Sequence, residues 1–253
     1  MNKPVRVLRV ILLCILSLLS ASCGHVSGEN ASSLSGGGSE TGFEAAEPAD
    51  VSVAEIKGEL ITDPAHLAGG SAGATEEGLS RQGACYKNSY FGIRFTLPSS
   101  WNFASDEQLA GMNRAACADS SSEPQESQPD GAGFWFDMYA VSDDGHQNVN
   151  VTIQNTRDSG VSSDGIESLV DSSLEPLRTA LLAQGVTELT IKKDTAAFLG
   201  SQSPAIVVDG IISGIPLHET QVYSQKGSYI LCATAVSYSE DRTASLLGIF
   251  SEV

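Results

Sequence analysis

The chain has 253 residues, of which 31 are acidic and 14 are basic, and its formal net charge is −17 at pH 7. A balance this acidic argues against binding to nucleic acid and to anionic bilayer surfaces, because both attract Lys and Arg. Solubility and mutual repulsion between molecules are the simplest consequences of such a charge.

The first 22 residues have the order of a secretory signal. Three basic residues precede an apolar run from Val10 to Leu19, and small residues lead up to Cys23. The run has about ten residues, too few for a hydrocarbon core that needs roughly 20. The segment 19–23 resembles a bacterial lipobox, with Ser20 in the place of the more usual leucine, and this resemblance implies lipidation of Cys23. The alternative is an ordinary signal, cleaved near Ala21 or Cys23, that releases a soluble product.

Lipidation predicts an extracytoplasmic protein that is anchored to the bacterial cell membrane through Cys23. Removal of residues 1–22 takes away three basic residues and no acidic one, which leaves 11 basic and 31 acidic residues and a net charge of −20. No later segment of the sequence reaches membrane-spanning length. The predicted anchor is therefore the lipid alone.

Residues 23–83 are predicted to form a disordered tether. They are rich in Gly, Ser, Ala and Glu, and such a composition buries too little apolar surface to offset the ordering of the chain. The short apolar pieces Val51–Ile56 and Leu60–Ile61 leave a docking segment as the alternative. Gly69–Gly73 matches the G-x-S-x-G pattern of hydrolases, but no strand precedes it and no helix follows it, so the match is a result of Gly and Ser richness.

One folded domain is predicted for residues 84–253, since nearly all aromatic residues lie there and about 170 residues can bury a sizeable core. Its first predicted elements are a strand over Tyr90–Leu97 and a helix that begins after Ser105, whose hydroxyl caps the helix start. A polar loop then leads to two strands, Phe134–Val141 and Asn148–Asn155, which we interpret as a hairpin.

The rest of the domain is predicted to contain one long helix, four strands and a short closing helix. Helical spacing runs from Asp164 to Gln184, and Pro176 in its middle predicts a kink or two abutting helices. The four strands are Thr187–Lys193, Ala205–Ile212, Leu217–Gln225 and Ser228–Tyr238, and the closing helix is Glu240–Phe250 with Ser239 as its cap. This order predicts an α+β fold with a largely antiparallel sheet flanked by helices.

Several segments of the domain carry a family resemblance. The sequence YFGIRFTLPSSW at residues 90–101, followed by DEQL at 106–109, resembles the opening of PsbP/Mog1-like domains of small uncharacterised bacterial lipoproteins. Residues 205–210 and 216–220 are similar to the same family. The resemblance spans most of residues 85–253, and it implies an α/β/α sandwich that binds partners. It carries no catalytic residue, because the members share no chemistry and a fold alone licenses no function.

The mature chain contains three cysteines besides Cys23. Outside the cytoplasm Cys85 and Cys117 could form a disulfide, with free thiols as the alternative. Cys232 lies in an apolar predicted strand, where a cysteine is usually a small core residue. A catalytic Cys232 would need exposure and a nearby histidine.

Two further groups of side chains are candidates for ligand binding. Trp135 and Tyr139 lie four residues apart on one predicted strand, so strict alternation places them on the same face, either in an aromatic groove or buried under helices. Asp143, Asp144 and His146 could contribute to a cation site. Their spacing departs from that of an EF-hand, however, and a solvated acidic turn is the simpler interpretation.

No phosphate-loop, dinucleotide or zinc-protease motif occurs in the sequence, and we expect no cofactor and no metal. The sequence therefore predicts a membrane-anchored, non-enzymatic interaction or accessory domain with an unknown protein partner. A small-ligand or cation-binding lipoprotein is the alternative. A hydrolase without a recognisable motif is the third hypothesis.

Overall fold

The computed structural model of the protein describes residues 56–61, 84–118, 133–156 and 165–253. These residues form mostly antiparallel β-sheet with few helices. The strands are β1 (Glu59–Ile61), β2 (Cys85–Asn88), β3 (Ile93–Thr96), β4 (Trp101–Phe103), β5 (Phe134–Ser142), β6 (Gln147–Asn155), β7 (Thr187–Phe198), β8 (Ser201–Ile212), β9 (Ile215–Lys226), β10 (Tyr229–Tyr238) and β11 (Phe250–Glu252). The helices are α1 (Asp106–Ala118), α2 (Gly165–Ala183) and α3 (Thr243–Leu247).

Two antiparallel sheets contain all of these strands. The large sheet has the order β4-β5-β6-β10-β9-β8-β7, and the small sheet has the order β1-β2-β3-β11. The predicted hairpin is β5 with β6, and the predicted four-strand run is a meander from β7 to β10. Pairing of β10 with β6 joins these two units into one sheet, so the antiparallel character predicted for the sheet is confirmed.

The two faces of the large sheet are covered differently. The small sheet and α3 pack on one face, and the core between them contains large side chains such as Phe95, Met138 and Leu231. Helix α2 packs on the other face, over β7 to β10. Helix α1 covers Phe134 and Phe136 at the β5 end of that same face. The site described below lies on this helix-covered face.

Helix α1 begins as its sequence predicts. The backbone N–H of Gln108 donates to Oγ of Ser105 at 3.2 Å, and the N–H of Ser105 donates to Oε1 of Gln108 at 2.8 Å. This reciprocal pair is a capping box, which satisfies two donors that the first turn leaves open. Ser105 is thus confirmed as the cap of α1.

Helix α2 runs through Pro176 without a break, so the prediction of two abutting helices is wrong. Proline removes one hydrogen bond from the helix interior. The apolar stripe of α2, which includes Leu169, Leu177 and Leu181, is buried against the sheet on both sides of the proline. Tertiary packing of this stripe outweighs the local penalty.

The closing helix is shorter than predicted, and its cap is different. Ser239 has a positive φ of 72° and does not cap α3. The N-cap is Arg242, whose side chain makes no cap hydrogen bond. Before it, Oδ1 of Asp241 accepts hydrogen bonds from the N–H and the hydroxyl of Thr243, at 3.0 and 2.8 Å. The chain leaves the helix after Leu247 because Phe250 pairs with Phe95 in the small sheet and is buried in its core.

The folded unit begins earlier than the sequence predicts. Residues 56–61, which fall inside the predicted tether, include the strand β1, and β1 pairs with β2. Ile56 is fully buried in the core, whereas residues 51–55 of the possible docking segment lie outside the described residues. Residues 1–55, which include the predicted signal and Cys23, and residues 62–83 lie outside the described residues.

Candidate functional site

A β-bulge in β5 separates the two aromatic residues that the sequence places together. The register against β6 shifts between Phe136 and Met138, with Asp137 at the bulge. Trp135 and Met138 both pack in the core between the sheets, so Tyr139 points to the opposite, helix-covered face. The predicted groove of Trp135 and Tyr139 is therefore wrong, because the extra residue inverts the alternation between them.

The bulge turns the Asp137 side chain into the protein, where its carboxylate accepts four hydrogen bonds. Oδ2 accepts from the backbone N–H of Gly58 at 2.8 Å, from the Tyr86 hydroxyl at 2.6 Å and from Nδ2 of Asn88 at 3.1 Å. Oδ1 accepts from the indole N–H of Trp135 at 3.1 Å. Asp137 is 5% exposed, and a buried carboxylate with this many donors is fully satisfied.

Asn88 completes the attachment of residues 56–61. Its Nδ2 also donates to the carbonyl of Ile56 at 2.7 Å, and its Oδ1 accepts from the N–H of Phe91 at 2.9 Å. Burial and the neighbouring Asp137 raise the pKa of the Tyr86 hydroxyl well above its ordinary value, so this hydroxyl stays a donor. We call Asp137 and its four donors the latch, since they hold residues 56–61 on the domain.

A different polar cluster occupies the centre of the helix-covered face. The pairing register places its members on neighbouring strands, because Thr234 of β10 is opposite Asn150 on one side and Gln221 on the other. We call this cluster the polar floor; its members are Asn148, Asn150 and Thr152 on β6, Thr234 on β10, and Glu219, Gln221 and Tyr223 on β9. All of them are buried.

A chain of hydrogen bonds runs along β9 within the polar floor. The Tyr223 hydroxyl donates to Oε1 of Gln221 at 2.5 Å, and Nε2 of Gln221 donates to Oε1 of Glu219 at 2.5 Å. The other oxygen of Glu219, Oε2, is buried without a hydrogen-bond partner. This series of hydrogen bonds therefore ends at an acceptor that has no donor.

The two asparagines on β6 also have side-chain atoms without hydrogen-bond partners. Both the Oδ1 and the Nδ2 atoms of Asn148 and of Asn150 are buried without a hydrogen-bond partner. A buried polar group without a partner costs about 1–3 kcal/mol, and native proteins contain few such groups. These three side chains, two on β6 and one on β9, make the polar floor the candidate site of the domain.

Burial also controls the charge of the polar floor. Desolvation raises the pKa of Glu219 to about 7, and the hydrogen bond from Gln221 opposes this shift. Desolvation and the nearby Glu219 and Tyr139 raise the pKa of Tyr238 to about 12. Among the described residues no Lys, Arg or His forms an ion pair with Glu219. The site thus holds a carboxyl group that changes charge near neutral pH.

The raised pKa of Glu219 predicts a pH-dependent stability. A carboxyl group with a pKa near 4.5 in the unfolded chain and about 7 in the fold binds more protons when folded. Its contribution, on the order of 3 kcal/mol, is complete below the unfolded pKa and is lost as the pH rises through the folded pKa. In urea titrations between pH 5 and 8 we expect Glu219→Gln to flatten this decline. The exposed Glu175→Gln is the control, and parallel profiles for Glu219→Gln and wild type would contradict the assignment.

The cysteines of the described residues are buried thiols. Cys85 and Cys232 are free and buried, and the side chain of Cys117 lies outside the described residues, so the Cys85–Cys117 disulfide stays a prediction. Sγ of Cys232 lies 3.6 Å from Oγ1 of Thr234 on the helix-covered face. Burial raises the pKa of the Cys232 thiol to about 12, which keeps it protonated and makes it a weak nucleophile.

We expect Cys85 and Cys232 to resist alkylation in the native protein and to react once the protein is unfolded, because reaction needs an accessible thiolate. The readout is peptide mass mapping after iodoacetamide treatment with and without urea. Rapid native labelling of either residue would contradict the burial. If Cys85 instead stays unlabelled in urea until a reductant is added, it is paired, and the linked peptide identifies Cys117 or another partner.

The carboxylates of the acidic turn between β5 and β6 accept hydrogen bonds from nearby residues of the same domain. Asp144 accepts hydrogen bonds from the Ser142 hydroxyl at 2.6 Å and from the N–H of His146 at 2.9 Å, and Asp143 accepts one from Asn102 at 2.6 Å. The hydrogen bonds to Asp144 lower its pKa, and the bond from the Ser142 hydroxyl has the largest effect. In the part of the chain that the structure describes, no three His, Cys, Asp or Glu side chains are grouped to hold a metal ion.

The described helices include none with the length and apolar character that a membrane crossing requires. The fold and the polar floor together define the class of this protein: a mostly antiparallel β domain with a buried polar site on its helix-covered face.

The structural neighbours of the chain are distant, and two of them are PA94 and LpqN. No family model and no curated protein matches the chain. PA94, a Pseudomonas aeruginosa protein of unknown function, is 14% identical over 36% of this chain and has a TM-score of 0.24. The match spans only 58% of the length of PA94. LpqN of Mycobacterium tuberculosis, which is involved in cell envelope biogenesis, is 8% identical over 62% of this chain and 75% of its own, with a TM-score of 0.32. Likeness at this level carries no argument about fold or function.

Proposed function

We propose that this protein is a lipid-anchored extracytoplasmic lipoprotein whose folded domain binds a small polar ligand on the polar floor without chemical turnover. One observation carries the proposal: Asn148 and Asn150 on β6, and Glu219 on β9, have buried polar atoms without hydrogen-bond partners, and only β10 separates the two strands. A ligand that pairs with these atoms would remove their desolvation penalty. The protonated thiol of Cys232 supports binding rather than catalysis.

Ligand binding is tested by thermal shift and by calorimetry on the chain from residue 24 onward. A ligand that binds only the folded state raises the midpoint of unfolding in proportion to RT ln(1 + [L]/Kd). We expect a stabilising compound in a screen of small polar metabolites, and we expect Asn150→Leu to abolish its effect. Asn102→Leu on β4 is the matched control, since Asn102 makes an exposed hydrogen bond. A screen in which every hit acts equally on both variants would overturn the proposal.

The anchor is tested separately in the producing cell. Lipidation of Cys23 predicts that the intact mature protein begins at this residue with a diacylglyceryl mass and partitions into the detergent phase. Cys23→Ser should release it or leave it unprocessed, whereas Ser20→Leu, which restores the usual lipobox residue, should keep the modification. An unmodified N-terminus in the wild-type protein would reject the anchor and favour a secreted product.

The proposal includes the PsbP/Mog1-like assignment and its α/β/α sandwich. The segments at residues 90–101 and 205–220 support the assignment through their sequence resemblance. On the face that carries the small sheet, the one helix among the described residues is the five-residue α3, so the sandwich is supported by the resemblance alone.

A non-enzymatic accessory domain that binds a protein partner is the second proposal. Its support is the sequence resemblance, since such domains bind partners. Among the described residues the exposed large apolar side chains are Leu182, Ile215 and Val253, each on a different segment, and single exposed apolar residues are ordinary on any protein surface. The polar floor is therefore the better supported binding site.

A further inference from the structure

The open atoms of the polar floor have an uneven balance of acceptors and donors. Three oxygens are unpartnered, namely Oε2 of Glu219 and Oδ1 of Asn148 and of Asn150, against two nitrogens, the Nδ2 atoms of the same asparagines. One of the oxygens belongs to a carboxyl group. A ligand that complements this set with Glu219 ionised brings several donors, a positive charge and at least one acceptor.

We propose that the polar floor binds a small primary ammonium compound that also carries a hydrogen-bond acceptor, with Glu219 as the counter-ion of the ammonium group. This inference rests on the proposed function and names its ligand class. An ammonium group has three N–H donors and no acceptor, which matches the excess of oxygens. The amide nitrogens of Asn148 and Asn150 are left to bind a hydroxyl or carbonyl oxygen of the same ligand.

The spacing of the strands suits a bridging ligand. Val236 of β10 is opposite Asn148 on one side and opposite Glu219 on the other. With neighbouring strands about 4.8 Å apart, the Cα atoms of Asn148 and Glu219 are about 10 Å apart across β10. Val236 lies between them on the same face, so a ligand that contacts both must span its side chain.

Other ligand classes fit less well. An anion would be repelled by the ionised Glu219 carboxylate. Among the described residues no Lys or Arg forms an ion pair with Glu219 that could offset this repulsion. A divalent metal prefers several carboxylate or carbonyl oxygens, and the polar floor has a single carboxyl group. The net charge of −17 attracts a cationic ligand over a longer range.

Proton linkage gives a test of the charge of the ligand. The pKa of Glu219 lies near 7 because of burial, and a bound ammonium would favour the ionised carboxylate. Affinity should therefore rise with pH through neutrality, because at lower pH the ligand must first displace a proton. An uncharged ligand would give the opposite trend or none.

The test uses matched probes on the chain from residue 24 onward, followed by ¹H–¹⁵N correlation spectra and calorimetry. Glycinamide and ethanolamine carry an ammonium group with an acceptor, ethylene glycol and glycolamide are their uncharged counterparts, and glycolate is the anion. We expect the amines to shift the amide signals of Asn148 and Asn150. Glu219→Gln should weaken amine binding about tenfold or more, while Glu175→Gln should leave it unchanged.

The outcomes separate the ligand class from the existence of the site. If the uncharged probes bind as well as the amines and Glu219→Gln binds them normally, the ammonium inference fails and the proposed function stands. If glycolate binds best, the inference fails in the same way. If no probe and no compound of the metabolite screen shifts signals of the polar floor, both fail. The folded state of Glu219→Gln is checked by its dispersed spectrum.

Discussion

Replacement of Asp137 by alanine is expected to lower the free energy of unfolding by about 3–5 kcal/mol. The substitution leaves four donors without an acceptor: the N–H of Gly58, the Tyr86 hydroxyl, Nδ2 of Asn88 and the indole N–H of Trp135. The last three belong to buried side chains, so water cannot replace the carboxylate without opening the core. Equilibrium urea denaturation measures the loss.

Two further variants make the result specific to the latch. Asp143→Ala removes an exposed carboxylate with one side-chain partner, Asn102, and should change the stability by less than about 1 kcal/mol. Asp137→Asn keeps one oxygen acceptor and should fall between alanine and wild type. A loss below about 1 kcal/mol for Asp137→Ala would show that the latch contributes little.

Gly58→Ala should detach residues 56–61 while the rest of the domain stays folded. A Cβ atom on Gly58 would lie 2.7 Å from Cζ of Tyr86 and 2.8 Å from Oδ2 of Asp137, closer than non-bonded carbon and oxygen atoms approach. Because Tyr86 is fully buried, its ring cannot move aside easily. Relief of the overlap, worth about 1–3 kcal/mol, favours the undocked segment.

The readouts are local. Trypsin cleavage after Lys57 should accelerate by about tenfold or more, and the backbone amides of β1 that bond to β2 should lose their protection from hydrogen exchange by a similar factor. Gly111→Ala in α1 is the control, since no atom lies closer than 4.0 Å to the added Cβ and alanine favours helix. Unchanged cleavage in Gly58→Ala would mean that the segment tolerates the methyl group.

The meander and the hairpin were predictable because their turns and alternating residues leave a local signature. The turn at residues 213–214 separates β8 from β9, and the turn at Gly227 separates β9 from β10. The glycines of both turns have positive φ. Between such turns, alternation of apolar and polar residues fixes the strand and its register. The partner of β10, however, is β6, and no local pattern identifies a partner that distant in the chain.

The polar floor could not be predicted from the same pattern. On β6 the residues Val149, Val151 and Ile153 alternate with polar ones, which indicates a face exposed to water. In the structure Asn148 and Asn150 on that face are almost fully buried, because the fold covers it. Periodicity reports which residues share a face, and tertiary packing decides whether water reaches it.

A single extra residue explains the wrong position of the aromatic pair. The bulge at Asp137 changes the parity of β5, and nothing in a sequence of apolar and aromatic residues announces it. The charged residue in an otherwise apolar strand is the one available signal. An aspartate at such a place must either face water or accept hydrogen bonds from several buried donors. Here one of these donors, the N–H of Gly58, belongs to the segment that the sequence assigns to a tether.

The latch also sets how far the domain can travel from the membrane in the proposed anchored form. About 33 residues separate Cys23 from Ile56, and a chain extends by at most about 3.3–3.6 Å per residue, which limits the distance to about 110–120 Å. If the segment were released, the leash would run to Ala84, about 61 residues, and the limit would rise to about 200–220 Å. By holding residues 56–61 on the domain, Asp137 thus nearly halves the greatest distance between the domain and its lipid anchor.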